Sequence, residues 1–273
     1  MYTTGMCITM LILLALAGCE RQTAESGITG KEVVLNDQQI RSLSSKKIFF
    51  GHQSVGDNIV QGIRDVMAAD PRLKMNLISS TNPEAVPGYA FVEAHIGVNR
   101  NPASKTEAFN QIIDKGFGKQ GGIALYKYCY IDFASITDVA QVFSNYRRGI
   151  NELHERYPSL TVVHSTVPLT SDQPSTTIKD RIKDVLRKLA GRDANVKRNE
   201  FNRMLKDEYG SKEPIFDLAE VESTRVDGSR SFFSRGTQKV YTLAPEFTTD
   251  GGHLNELGRR RLAERLLLLL ANL

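Results

Sequence analysis

The feature that most constrains the fold is a long apolar run near the middle of the chain, Ile123–Phe133. A strand with one face in water alternates apolar and polar residues, whereas a strand covered on both faces is apolar almost throughout. The run therefore predicts a strand at the buried centre of a parallel sheet. We expect its basic residue, Lys127, to reach solvent from the strand end, because a buried ammonium is costly unless paired. The alternative is pairing with Asp132, with Asp57 or with the functional site.

Strand patterns and helix patterns alternate along the rest of the chain. Short apolar runs ended by glycine or proline indicate strands, and apolar residues three and four apart indicate helices. The predicted strands cover residues 46–51, 73–78, 123–133, 160–163 and 214–218. The predicted helices cover residues 59–67, 105–114, 138–157, 177–190, 194–209 and 254–273. This alternation predicts the α/β class, as a three-layer α/β/α sandwich with a mainly parallel central sheet.

Two stretches lack both patterns. Residues 82–102 are rich in proline, glycine and asparagine and predict a long loop, which inside a compact domain is usually functional or disordered. Residues 220–247 predict an inserted loop or a small hairpin. The leucine run 266–270 in the last helix is too short to span a membrane, and we expect it to dock on the core.

Composition excludes several classes of protein. Hydrophobic residues make up 41% and charged residues 24%, values typical of a globular protein and unlike those of disordered or multi-spanning membrane chains. The formal net charge is only +4, and the longest basic block is Arg259–Arg261. Because a nucleic-acid surface needs clustered positive charge, we expect no nucleic-acid partner.

The N-terminus has the pattern of an export signal. Residues Met10–Ala17 are apolar but too few to span a bilayer, and they lead into Leu16-Ala17-Gly18-Cys19. That sequence resembles the lipobox of bacterial lipoproteins, in which the cysteine thiol is acylated. We expect a signal peptide over 1–18, lipid attachment at Cys19 with a tether over 19–40, and a single domain over 41–273. An ordinary cleaved signal is the alternative.

The lipoprotein resemblance has consequences for location and for the cysteines. It implies an anchor in the bacterial envelope, with contact to the membrane through the lipid only. Glu20 after the lipidated cysteine implies the outer membrane facing the periplasm in a Gram-negative organism. Of the three cysteines, only Cys129 then remains in the folded body, so we expect no intramolecular disulfide and a buried, inert thiol.

A serine lies at the first strand-to-helix turn. The sequence Gly51-His52-Gln53-Ser54 follows the first predicted strand and precedes a predicted helix. Open α/β sheets bind ligands at this position, and a helix N-terminus offers free backbone amides and a positive dipole end. Ser54 is therefore a candidate nucleophile. Taken alone, it is also explained as an ordinary helix N-cap.

A second motif lies near the other end of the chain. Asp250 and His253 flank two glycines just before the last predicted helix. In such a turn the carboxylate accepts a hydrogen bond from one imidazole nitrogen, which leaves the other nitrogen free to take a proton from a serine hydroxyl. Taken alone, the motif is also explained as a helix-entry turn.

Together, these two motifs resemble those of the SGNH hydrolases, also called the GDSL esterases and lipases. That family has its nucleophilic serine after the first strand and an Asp-x-x-His block near its end. The resemblance implies a catalytic triad of Ser54, Asp250 and His253. The first block departs from the usual Gly-Asp-Ser, because one more residue separates Gly51 from Ser54.

The resemblance also implies an oxyanion hole. The backbone amide of Ser54 is one donor, and the second block contributes a glycine amide, for which Gly97 is the candidate and Gly88 the alternative. The family's third block supplies an asparagine that is missing here, where Cys129-Tyr130-Ile131-Asp132 stands in its place. We expect the Asn99 side chain to replace it, unless Asn99 only shapes its loop.

The resemblance predicts a serine ester hydrolase acting through an acyl-enzyme, or an O-acyltransferase. In the envelope it implies small esters, such as O-acyl groups on polysaccharide or peptidoglycan, as substrates. The histidines His95, His154 and His164 show no metal-ligand spacing, so we expect no metal and no cofactor. We expect His52 to be structural or to contact substrate. The alternatives are a non-catalytic binding or assembly lipoprotein and a thiol enzyme using Cys129.

Overall fold

A computed structural model describes residues 33–172 and 181–273. The predicted signal peptide over 1–18, the lipid attachment at Cys19 and most of the predicted tether lie outside the described residues. The first four residues of the helix predicted over 177–190 lie outside them as well. The single domain over 41–273 stays a prediction.

The described chain forms an α/β sandwich with a central parallel sheet. The strands are β1 Lys47–His52, β2 Leu77–Ser79, β3 Ala90–His95, β4 Gly122–Tyr126, β5 Leu160–Ser165, β6 Ile215–Phe216, β7 Phe232–Arg235 and β8 Gln238–Tyr241. The helices are α1 Asp37–Ser44, α2 Val55–Ala69, α3 Pro102–Ile112, α4 Gly118–Gln120, α5 Val139–Arg156, α6 Arg181–Tyr209, α7 Leu218–Ser223 and α8 Glu256–Ala271.

Six parallel strands form the central sheet in the order β2-β3-β1-β4-β5-β6. Because side chains alternate along a strand, adjacent apolar residues pack against the helix layers on opposite faces of the sheet. Phe50 and Leu125 pack with α1, α2, α7 and α8. Phe49 and Ala124 pack with α3, α5 and α6 on the other face. The predicted three-layer α/β/α class is therefore confirmed, and β7 and β8 form a separate antiparallel hairpin.

The strand order defines the edge where a ligand would bind. The crossover after β1 leads to β2 on one side of the sheet, whereas the crossover after β4 leads to β5 on the other. The connections diverge at the adjacent C-terminal ends of β1 and β4. Open α/β sheets bind ligands at such a switch point.

The last helix docks on the core, as predicted. Leu262, Leu266 and Leu270 of α8 are fully buried, so the apolar face of the helix packs against the protein interior. It packs closely on α2 at Gly62, where an added Cβ would lie 2.2 Å from the carbonyl oxygen of Arg259. Within the described ranges, no helix is long and apolar enough to cross a membrane.

The long loop predicted over 82–102 is wrong in its middle. Residues Ala90–His95 form β3, which is hydrogen-bonded between β1 and β2. Pro87 and Gly88 precede the strand, and Glu93 and His95 interrupt its apolar pattern. Those residues make the segment resemble a loop until the neighbouring strands are known.

Other predicted boundaries need correction. The central strand ends at Tyr126 instead of Phe133, because the chain turns into a 3₁₀ helix, Tyr130–Asp132, and the amide of its N-cap residue Cys129 donates to the Asp132 carboxylate. From Arg181 on, the helices predicted over 177–190 and 194–209 form one helix, α6, which continues through Gly191. The hairpin predicted in 220–247 is present as β7 and β8.

Candidate active site

The Ser54 turn is fixed to the neighbouring loop by Gln53. The Gln53 Nε2 donates hydrogen bonds to the carbonyl oxygens of Ile96 at 3.1 Å and Gly97 at 3.2 Å. Ser54 occupies the N-cap position of α2, but its side chain makes no capping hydrogen bond. The half-buried hydroxyl is therefore not engaged in the interaction that an ordinary serine cap makes.

The structure brings Asp250 and His253 together. His253 Nδ1 lies 2.7 Å from Asp250 Oδ2, while Asp250 Oδ1 accepts the amides of Gly252 at 2.9 Å and His253 at 2.8 Å. Because the ionised carboxylate accepts a hydrogen bond from Nδ1–H, Nε2 carries the free lone pair. Partial burial favours a higher pKa for Asp250, but the hydrogen bonds from the His253 ring and from the two amides outweigh it and lower the pKa to about 2. Asp250 thus stays ionised and holds the ring.

The two ends of the chain meet beside the Ser54 turn. The amide of Leu254 donates to Asn58 Oδ1 at 3.0 Å, which joins the residue after His253 to the first turn of α2. Among the described residues, no hydrogen bond joins Ser54 to His253 directly. The contact of His253 Nε2 is instead the hydroxyl of Tyr130 at 3.4 Å, which is long for a hydrogen bond.

Tyr130 is a site residue that the sequence reasoning missed. Its ring meets the His253 ring edge-on, with centroids 5.7 Å apart. The Arg198 guanidinium donates to the Tyr130 carbonyl oxygen at 2.9 Å and lies 5.7 Å from the ring centroid. Burial raises the pKa of Tyr130, and the nearby charge of Asp250 raises it further, so the hydroxyl stays protonated. The only signal in the sequence was its position just after the central strand.

The two predicted backbone donors of the oxyanion hole lie at this edge. Gly97 has φ of +59°, in the left-handed region that favours glycine, and an added Cβ would lie 2.7 Å from Lys105 atoms. Within the described residues, neither the amide of Gly97 nor that of Ser54 donates to a protein acceptor. Both amides are therefore available to an oxygen atom of a ligand.

The exposed side chain of Asn99 is oriented from beneath by a buried ion pair. Lys105 Nζ donates to Asn99 Oδ1 at 3.1 Å and also pairs with the Asp132 carboxylate, with both charged side chains fully buried. Asp132 further accepts the amides of Arg100 and Cys129, each at 2.7 Å. Because Asn99 Oδ1 faces the ammonium, its Nδ2 is the group left to donate elsewhere.

The prediction that Lys127 reaches solvent is wrong. Lys127 is 1% exposed, and its ammonium lies 3.6 Å from the sulfur of Cys129. Burial lowers the pKa of Lys127, and the neighbouring Lys105 adds to the effect. The strand ends at Tyr126, and the Lys127 side chain lies against Cys129 of the segment that follows. The predicted burial of Cys129 is confirmed.

A second histidine cluster lies at the ends of β1 and β3. His52 Nε2 is 2.9 Å from Glu93 Oε2, and His95 Nε2 is 2.7 Å from Asp57 Oδ1. One ligand atom each from His52, Asp57 and His95 lie within 4.8 Å of one another, a grouping that could hold a metal ion. The spacing of histidines along the sequence does not predict this cluster, because its two histidines lie on different strands, and their pairing is not evident from the sequence.

Comparison with known proteins gives matches to solved structures only. No protein-family model matches the chain, and no curated protein matches it. An acetyl xylan esterase structure is 17% identical, with TM-score 0.45, over 80% of this chain and 96% of that one. A lipase/acylhydrolase from Enterococcus faecalis is 14% identical, with TM-score 0.42, over 83% and 96%.

A third similar structure is the periplasmic domain of a lipopolysaccharide acetyltransferase from Salmonella ser. Paratyphi A. It is 12% identical, with TM-score 0.44, over 86% of this chain and 88% of that one. The solved structures that the chain is similar to thus include esterases, a lipase and an acetyltransferase.

Proposed function

We propose that the protein is a serine ester hydrolase or O-acyltransferase that works through an acyl-enzyme at Ser54. The observation that carries the proposal is the oriented Asp250–His253 pair, which a hydrogen bond from Leu254 to Asn58 holds against the first turn of the helix that begins at Ser54. Nucleophile, base and orienting acid are the three parts that acyl transfer by serine needs.

The first step is attack by Ser54 on the ester carbonyl. His253 Nε2 takes the proton of the Ser54 hydroxyl as its oxygen bonds to the carbonyl carbon, and Asp250 stabilises the resulting imidazolium. To reach Ser54, the ring exchanges its long contact with Tyr130 for one with the serine. Such catalytic hydrogen bonds often tighten only when substrate is bound.

The tetrahedral intermediate places negative charge on the former carbonyl oxygen. The free amides of Ser54 and Gly97 are the backbone donors, and Asn99 Nδ2 is the side-chain donor in place of the asparagine expected after β4. The contact of Lys105 with Asn99 Oδ1 polarises and orients that amide. Donors fixed in this way before the reaction stabilise the oxyanion without reorganisation.

Collapse of the intermediate breaks the ester bond, and the alcohol leaves with the proton from His253. Water then attacks the acyl-enzyme in a hydrolase, or a sugar hydroxyl attacks it in a transferase, with His253 again as base. We propose O-acylated polysaccharide or peptidoglycan as substrate. The polar lining of the cavity of about 620 Å³ beside Asp57 and His95 supports a hydroxyl-rich substrate.

We also propose that the protein is anchored in the bacterial envelope by lipid on Cys19. The lipobox-like Leu16-Ala17-Gly18-Cys19 supports this location. Metabolic labelling with an alkyne fatty acid tests it: the full-length chain should incorporate label, and Cys19→Ser should not. Label that persists in Cys19→Ser, or its absence from the intact chain, contradicts the anchor.

Turnover of p-nitrophenyl acetate tests the enzymatic proposal. The folded protein should hydrolyse the ester, Ser54→Ala should abolish hydrolysis, and Asp250→Asn should reduce it strongly because the ring loses its fixed tautomer. Ser135→Ala, which removes an exposed serine on another loop, is the matched control and should retain full activity. Equal turnover in the wild type and Ser54→Ala, or none in either, contradicts the proposal and favours a non-catalytic binding protein.

A further inference from the structure

The His52 side chain has one ring nitrogen with a partner and one without. The residue is 0% exposed, and its Nε2 lies 2.9 Å from Glu93 Oε2. Its Nδ1 is buried and has no hydrogen-bond partner in the described part of the chain. Buried polar atoms in folded proteins nearly always have a partner, so an orphaned nitrogen indicates that a group outside the chain completes the site.

Glu93 determines which form of the His52 ring is present. An ionised carboxylate can only accept, so Nε2 carries the ring proton and donates a hydrogen bond to Glu93. Nδ1 then carries an unshared lone pair. A histidine that donates one N–H to a carboxylate while its other nitrogen stays free has the arrangement typical of a metal ligand.

Two more ligand groups lie around this lone pair. Asp57 Oδ1 is 3.8 Å from His52 Nδ1 and 2.7 Å from His95 Nε2. The second contact is a hydrogen bond that His95 Nε2 donates, so binding a metal through Nε2 requires the ring proton to move to Nδ1. The Asp57 side chain is 50% exposed and that of His95 is 57% exposed, so both can move by a few tenths of an ångström without disturbing the core. Both line the cavity described above.

We propose that His52 Nδ1, His95 Nε2 and Asp57 Oδ1 bind a divalent transition metal ion of the zinc type, with Glu93 as the positioning residue for His52. Two imidazoles and a carboxylate are ligands that zinc prefers. Bonds of about 2.1 Å in a tetrahedral centre place ligand atoms about 3.4 Å apart. The 2.7 and 3.8 Å separations lie on either side of that spacing.

Three protein ligands leave the fourth position open to the cavity. Zinc sites of this kind complete their coordination with water or with an oxygen of the bound molecule. Since Asp57 lies in the first turn of α2, which begins just after Ser54, the metal would hold a substrate oxygen near the reacting ester. The metal ligands are distinct from the proposed triad, and only the role of the metal in holding a substrate oxygen rests on the proposed function.

Zinc titration of the tag-free, chelator-treated full chain tests the site. Calorimetry should show about one Zn²⁺ per chain, and Co²⁺ should give the intense visible absorption of a tetrahedral centre. His95→Ala and Asp57→Asn should each weaken binding at least tenfold, while Glu93→Gln should weaken it about tenfold through His52. Both direct substitutions are at exposed side chains, so circular dichroism should show a folded protein.

Two control variants test whether zinc binds at this cluster and not at another histidine or at the triad. His154→Ala removes a partly exposed histidine paired with Glu213 and should leave zinc affinity unchanged. Ser54→Ala should also bind zinc like the wild type, so failure of the ester-hydrolase proposal and failure of the metal proposal give different results. Absence of zinc binding, or equal affinity in wild type, His95→Ala and Asp57→Asn, overturns the metal site.

Discussion

Two buried histidines of the central sheet, each paired with a glutamate, differ in whether the second ring nitrogen has a partner. His52 at the end of β1 and His164 in β5 are both 0% exposed, and each places Nε2 on a glutamate oxygen, at 2.9 Å and 3.0 Å. His164 Nδ1 also meets the hydroxyl of Tyr146 at 2.7 Å, whereas His52 Nδ1 has no partner among the described residues.

The difference separates a histidine with a purely structural role from one that can still bind another group. The His164 ring also stacks on Tyr209 with centroids 3.7 Å apart, so the ring and both its nitrogens are engaged inside the protein. His52 instead adjoins exposed Asp57 and His95, at the edge where Ser54 and the Asp250–His253 loop meet. Burial of a histidine therefore says little about function, and the state of its second nitrogen says more.

The largest effect is expected at the edge where Ser54 and the Asp250–His253 loop meet. His253→Ala should lower ester turnover at least about a thousandfold, because Ser54 loses its general base. The melting temperature should hardly change, since the ring is 42% exposed. Stopped-assay kinetics and a thermal melt measure both. A His253→Ala protein that keeps more than a tenth of wild-type turnover would place the base elsewhere.

A smaller effect is expected at Asn99, which lies at the same edge of the sheet and is held by the buried Lys105–Asp132 pair. Asn99→Ala should lower kcat about a hundredfold and change KM little, because its amide acts mainly on the transition state. Steady-state kinetics measure the split. Asn76→Ala, at an exposed position next to β2, is the control and should match the wild type. An unchanged kcat in Asn99→Ala means that another group completes the oxyanion hole.

Tyr146→Phe would leave His164 Nδ1 without its partner, and His164 would then resemble His52. It removes the hydroxyl that satisfies His164 Nδ1 and should lower the free energy of unfolding by about 1 to 3 kcal/mol, with ester turnover unchanged. Urea denaturation measures the loss. Tyr157→Phe, which removes an exposed hydroxyl bonded to Asp114, should cost less than about 0.5 kcal/mol. Equal losses of unfolding free energy in Tyr146→Phe and Tyr157→Phe would contradict a stabilising role for the hydrogen bond to His164.

The smallest expected effect is a shared pH dependence. Burial lowers the pKa of both His52 and His164, so the unfolded chain takes up protons more readily below its ordinary histidine pKa of 6.5. The stabilisation from keeping these rings neutral is present above pH 6.5 and is lost as pH falls toward the lowered folded pKa. Each histidine contributes at most about 1.4 kcal/mol per pH unit. His164→Gln should flatten the profile from about pH 7.5 to about pH 5, and an unaltered slope would contradict this.

Local patterns predicted the parts of the molecule that depend on local structure. The strand–turn–helix at Ser54 and the Asp-Gly-Gly-His turn could be predicted from the sequence, because apolar spacing and glycine encode them within a few residues. The parallel sheet followed from the same alternation. The catalytic roles of Ser54, Asp250 and His253, and the donor roles of Gly97 and Asn99, remain predictions that these experiments address.

Features that depend on strand neighbours could not be predicted in this way. β3 was missed, and with it the adjacency of Glu93 and His95 to His52, because register becomes known only with the strand order. The inward turn of Lys127 was missed for a similar reason, since it depends on where the central strand leaves the sheet.

Covalent labelling with a fluorophosphonate probe tests the central claim most directly. The folded wild-type protein should gain one adduct, mapped by mass spectrometry to the peptide that contains Ser54. Ser54→Ala should take no label, and His253→Ala should label far more slowly because the hydroxyl is no longer activated. An unlabelled wild type, or an adduct that persists in Ser54→Ala, would contradict the account.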